Sequence, residues 1–132
     1  MTEALSHAVD NVSRFKLSIA DAGAFPNARQ PRVLWIGVND SSGQLKLLHQ
    51  RIDEECAKRG FEKDARAYRP HLTIARIRKP EGARALAEAN KKFGFEPMEM
   101  LVSDVSLFRS ELSSKGSKYT VVSRHELSDM LY

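Results

Sequence analysis

The tightest constraint on the fold is a run with no polar face, Val33-Leu34-Trp35-Ile36-Gly37-Val38. Successive side chains of a strand point to opposite sides, so an unbroken apolar run requires cover on both. The run is short for a helix and rich in β-formers, and it predicts an interior strand. Before it, Phe15, Leu17 and Ile19 alternate with Lys16, Ser18 and Ala20, the pattern of a half-buried strand. Gly23, Pro26, Asn27 and Pro31 predict the loop between the two.

Helical periodicity surrounds these strands. Leu5, Ala8, Val9 and Val12 predict a helix at the start of the chain. Ser41 or Ser42 is placed to cap a second helix that runs to Gly60, with Leu45, Leu48, Ile52 and Cys56 as its buried stripe. Cys56 and the bordering His49 then read as packing residues. Pro70 to Ile77 predicts a further strand, and Pro80 opens a helix with Ala83, Leu86, Ala87 and Phe93 on its apolar side. Met98 to Phe108 is strand-like, with the alternation slipping near Asp104. Ser113-Ser114-Lys115-Gly116 predicts a hairpin turn into a last strand, Lys118 to Leu127. The expected class is α+β with largely antiparallel sheets.

A chain of 132 residues suits one domain, or two small lobes sharing a core. No apolar run approaches the roughly 18 residues needed to span a bilayer, which excludes a helical membrane protein. The N-terminus has no basic region followed by an apolar stretch, a single cysteine offers neither an internal disulfide nor a Cys-rich metal site, and a cytoplasmic location is expected.

The net charge of +4 is concentrated. Residues 61–80 hold Lys63, Arg66, Arg69, Arg76, Arg78 and Lys79 against Glu62 and Asp64, while the flanking segments are nearly balanced. Clustered charge can focus an anionic ligand, although a solvated basic loop has the same composition. Within the window lies Arg69-Pro70-His71-Leu72-Thr73-Ile74-Ala75-Arg76. Strand alternation puts His71, Thr73 and Ala75 on one face and turns Leu72 and Ile74 into the core. His71 and Thr73 are then roughly 7 Å apart, at about 3.3 Å per residue. An imidazole moves protons near neutral pH, and a threonine hydroxyl hydrogen-bonds phosphate oxygens. The spacing alone is weakly specific, and a lone strand histidine is more often structural. His7, His49 and His125 are followed two residues on by Val9, Arg51 and Leu127, so none repeats the pattern.

Pro70-His71-Leu72-Thr73-Ile74-Ala75-Arg76 resembles the second His-x-Thr-x motif of the two-histidine phosphoesterases, and in particular the RNA 2′,3′-cyclic phosphodiesterases, also called 2′-5′ RNA ligases. Gly23-Ala24-Phe25-Pro26-Asn27 with Arg32 to Val38 is similar to the family's middle segment. Leu107 to Leu112 with Gly116 and Tyr119-Thr120-Val121 is similar to its closing hairpin. The likeness runs from about Phe15 to Leu127. It implies a single domain over 1–132 with a bilobal fold whose first lobe is incomplete. The family's first motif lies before the opening helix, so the chain resembles the C-terminal three-quarters of a member.

The resemblance implies metal-free acid/base hydrolysis of a 2′,3′-cyclic phosphate, without cofactor, to a 2′-phosphate. His71 is the implied proton acceptor and Thr73 an implied phosphate contact, with the motif at 71–74. Arg69, Arg76 and Arg109 are candidate contacts to RNA phosphates on charge and position, and Tyr68 and Phe25 are candidates for stacking on a base or for packing. The expected partner is RNA or a nucleotide ending in the cyclic phosphate, with no membrane partner. With one histidine of the pair, weak or absent turnover is expected. Two other readings are a non-catalytic module for RNA ends or nucleotides, and a dimer bringing two copies of His71 together. Self-association through an open sheet edge is a further expectation.

Overall fold

The apolar run does form an interior strand, Val33–Asn39 (β2), paired antiparallel with Ser13–Phe25 (β1) on one side and His71–Arg76 (β3) on the other. The computed structural model describes residues 1–94 and 96–131. The remaining elements are α1 (Thr2–Val9), α2 (Gln44–Ala57), α3 (Ala83–Phe93), β4 (Met98–Val102), β5 (Asp104–Ser113), β6 (Gly116–Glu126) and β7 (Ser128–Leu131). The fold is α+β with mixed sheets: strand order is β3-β2-β1-β4, β7 pairs with β1, and β5-β6 forms a separate hairpin. No helix among the described residues is long and apolar enough to cross a membrane.

The chain divides into two compact units. The first comprises Met1–Lys16, Ser42–Ala67 and Leu101–Tyr132. Its core gathers Ala4, Leu5, Ala8 and Val9 of α1 with Val12, Phe15, Leu48 and Leu127, as the helical spacing at the start of the chain predicts. Phe15 is wholly enclosed. The buried His125 is a satisfied core histidine, its two ring nitrogens lying 3.2 Å from Ser6 Oγ and 2.9 Å from Ser123 Oγ. Hydroxyls can donate or accept, so the pair satisfies either neutral tautomer. In α2 only Leu48 is buried, and Leu45, Ile52 and Cys56 are half-buried.

The second unit comprises Leu17–Ser41 and Tyr68–Met100. Here β1 runs through Gly23 and Ala24 to Phe25, where the composition predicts a loop. Gly23 lies in the strand because of Trp35, its cross-strand partner. A Cβ at Gly23 would lie 2.6 Å from Trp35 Cη2 and 2.8 Å from Cε2. The predicted loop shrinks to residues 26–32, held by Asn27, whose Oδ1 accepts from the N–H groups of Arg29 and Gln30 at 2.9 Å each. The third helix starts at Ala83 rather than Pro80, behind Gly82 in the left-handed region at φ 74°. Ala83 and Ala87 are buried, but Leu86 and Phe93 are exposed, so the apolar side is narrower than predicted.

Two more expectations change. The strand-like stretch from Met98 is two strands broken at Ser103, whose carbonyl accepts from the N–H of Leu127 at 2.9 Å. The last strand ends at Glu126, and β7 then pairs parallel with β1 through Ser13↔Ser128 and Arg14↔Leu131. The hairpin turn at 113–116 is as predicted, with Gly116 at φ 110° and Ser113 Oγ donating to the Gly116 carbonyl at 2.8 Å.

Candidate functional site

Pairing with β2 fixes which β3 side chains share a face. The register runs Gly37↔His71, Ile36↔Leu72, Trp35↔Thr73, Leu34↔Ala75 and Val33↔Arg76, with a shift between Leu34 and Trp35 that leaves Ile74 without a partner. Residues directly opposite in a ladder point to the same side, and an extra residue reverses the alternation beyond it. His71 and Thr73 therefore lie on the Trp35 face, as the motif's spacing predicts. Ala75 does not join them: it sits with Leu34 on the other face, and Arg76 takes its place. Leu72 and Ile74 are 46% and 50% exposed rather than buried in a core. Among the described residues their strand is at the sheet edge, paired with β2, so alternation there does not produce enclosure.

Aromatic packing shapes the same face. Phe25 packs on Trp35 with ring centroids 5.4 Å apart and meets the His71 ring edge-on at 5.0 Å. Opposite His71, a Cβ on Gly37 would run into the Ala20 carbonyl oxygen, next to the Asp21 irregularity of β1 at φ 67°. Gly37 thus lets the bulged backbone approach and leaves no side chain across from the imidazole. Phe25 acts as a wall beside the histidine.

The proton inventory of His71 follows from one hydrogen bond. Its Nδ1 lies 2.7 Å from the Arg69 carbonyl oxygen. A carbonyl only accepts, so Nδ1 carries the hydrogen and the neutral ring keeps its lone pair on Nε2. The ring is exposed. The arrangement is that of an oriented base on an open strand, with a hydroxyl two residues away on the same face.

The basic window does not gather around this pair as a whole. Lys63 and Arg66 belong to the first unit, where Arg66 makes two 3.0 Å contacts to the Asp64 carboxylate and holds its pKa down at about 2. Arg69 and Arg76 are exposed at the two ends of the His71 segment. Arg109 lies on β5 in the first unit, 3.9 Å from Glu111. Tyr68 is half-buried with its hydroxyl enclosed, and burial, followed by the nearby Asp40 charge, pushes its pKa up to about 12. An enclosed phenol is packing rather than a free stacking platform. Because its folded pKa exceeds the ordinary value of about 10, its contribution to stability is complete below that value and lost as pH rises towards 12. Denaturant titrations across that range should show the decline in the parent chain and a smaller decline in Tyr68→Phe.

Residues 1–113 match the 2′-5′ RNA ligase superfamily. The chain is 42% identical over 107 residues to an RNA 2′,3′-cyclic phosphodiesterase of Methanothermobacter thermautotrophicus, an alignment covering 80% of this chain and 57% of that one. The chain spans about three-fifths of the length of the curated relatives it matches. In three dimensions, 96% of it superposes on 68% of a Thermus thermophilus protein at 27% identity and a TM-score of 0.63. It also superposes on E. coli LigT complexed with 3′-AMP, covering the same shares at 22% identity and a TM-score of 0.66, a likeness of fold.

Proposed function

Because the chain belongs to the 2′-5′ RNA ligase superfamily, we propose that its His71 face acts on RNA ends carrying a 2′,3′-cyclic phosphate. The observation that carries this reading is the Nδ1 bond to the Arg69 carbonyl, which leaves Nε2 as a proton acceptor beside Thr73. Water attacks phosphorus and passes its proton to Nε2. The bond from phosphorus to the 3′ oxygen breaks, leaving a 2′-phosphate and a 3′ hydroxyl. Thr73 and Arg76 hold the phosphate oxygens from the same face, and Arg69 contributes charge beside them; Arg109, on the first unit, is a candidate phosphate contact on its charge alone.

The departing 3′ oxygen needs a proton, and an in-line displacement draws it from the side opposite the base. The sequence holds one His-x-Thr motif, so that acid is not supplied by a second such histidine within these 132 residues. In this reading the chain is the base-bearing part of a bilobal catalyst and turns over slowly by itself.

A soluble acid should partly take over that role. With 2′,3′-cyclic AMP as substrate near neutral pH, added imidazole is expected to raise formation of 2′-AMP by the parent chain and not by His71→Ala. Equal rates for both proteins at every imidazole concentration would overturn the reading. Saturable binding of the cyclic nucleotide with no turnover in imidazole would instead assign the non-catalytic module.

A further inference from the structure

The second unit contains a cavity of about 230 Å³ that the His71 face does not include. Its cations come from three places: Arg29 and Arg32 from the loop between β1 and β2, Arg78 and Lys79 from beyond β3, and Arg84 from the first turn of α3. Among the described residues, no acidic side chain lines it. Arg84 Nε is 3.7 Å from Glu88 on its own helix, an exposed pair that offsets little of this charge.

The backbone holds these cations in place. The Arg32 N–H donates to the Phe25 carbonyl at 2.7 Å, and the Arg32 carbonyl accepts from the N–H of Ile77 at 2.8 Å. Asn27 fixes Arg29 from the other side. The positive end of α3 has neither a side-chain cap nor an acidic residue in its first turn. Like charges confined in one concavity repel, and an anion relieves that repulsion. Arg guanidinium groups also match phosphate oxygens in geometry.

We propose that this cavity is a second phosphate site, which grips the backbone of a single-stranded RNA whose end lies at His71. The proposal rests on the RNA-end reading above. The cavity begins at Ile77, just past the end of β3 and six residues on from His71, or roughly 20 Å for extended chain at about 3.3 Å per residue. That offset suits an internal phosphate rather than the reacting one. A mononucleotide occupies the His71 face alone, whereas an oligonucleotide engages both.

The test is fluorescence anisotropy with labelled single-stranded RNAs of about ten nucleotides, a length within the usual range for a single-strand groove. One RNA ends in a 3′ hydroxyl and one in the 2′,3′-cyclic phosphate, with 2′,3′-cyclic AMP as a mononucleotide competitor. The double variant Arg78→Ala/Arg84→Ala removes two exposed cations without touching the core. It is expected to bind both RNAs about tenfold more weakly, with the salt slope reduced by about 0.7 for each phosphate that is no longer neutralised. Its affinity for 2′,3′-cyclic AMP should be unchanged. Unaltered RNA affinity would overturn the proposal, as would inorganic phosphate or ATP displacing the 3′-hydroxyl RNA from the parent chain and from the double variant at the same concentrations. If the parent chain ignores the cyclic phosphate while RNA binding still depends on Arg78 and Arg84, the RNA-end reading fails and the backbone site stands.

Discussion

His71→Ala is expected to lower hydrolysis of 2′,3′-cyclic AMP in imidazole by about 10²–10⁴-fold, the usual worth of a general base. The size follows from what else β3 places on that face: neither the Thr73 hydroxyl nor the Arg76 guanidinium is a proton acceptor of comparable basicity. The fold should be unaffected, because His71 is exposed and its one described hydrogen bond is local, to Arg69. Thermal unfolding at an unchanged midpoint, with product formation lowered by that factor in a chromatographic assay, is therefore the expected pair of results. A variant retaining most of the parent rate would remove His71 from the reaction. Arg69 itself offers a backbone carbonyl, so changing its side chain leaves the tautomer of His71 intact.

Gly23→Val should have the largest effect on the fold. The added carbons would enter the space of the Trp35 indole, whose nearest ring atoms already leave no room for a Cβ. Overpacking of this kind typically destabilises by about 1–3 kcal/mol. Trp35 packs on Phe25, and Phe25 meets His71, so a displaced indole also disturbs that imidazole. Denaturant unfolding should show the loss of stability, and cyclic nucleotide binding should weaken alongside it. Combining Gly23→Val with Trp35→Leu should recover stability, because the smaller side chain yields the space, while binding stays impaired through loss of the aromatic wall. Recovery of neither would mean that the strain lies outside this contact.

These two residues differ in how far the sequence exposes them. His71 is visible because a polar pair at two-residue spacing interrupts an apolar strand. Gly23 misleads, since glycine beside proline reads as a loop. Its place in β1 depends on a tryptophan twelve positions away. The interior position of β2 is legible because an unbroken apolar run demands neighbours on both sides. The pairing of β7 with β1 is not, since among the described residues Ser128–Leu131 meets β1 at Ser13 and Arg14 and carries no periodic signal of its own. The basic window is legible as charge but not as destination. Arg66 pairs with Asp64, Arg76 shares the face of His71, and Arg78 joins Arg29 and Arg32 from a distant loop. Such groupings depend on chain crossings that local patterns do not encode.

The unpartnered Ile74 has a consequence for comparing sequences. Between Thr73 and Arg76 the chain holds one residue more than the opposing strand, so position along the sequence and side of the sheet fall out of step there. An alignment that runs through 74 without a gap, against a relative that lacks the extra residue, would pair look-alike residues that occupy opposite surfaces. A relative with an arginine three places after its threonine presents that charge on the histidine's face only if it carries the same extra residue. Without it, the arginine that matters is the one two places on. Counting residues across this short stretch is thus as informative as matching their identities.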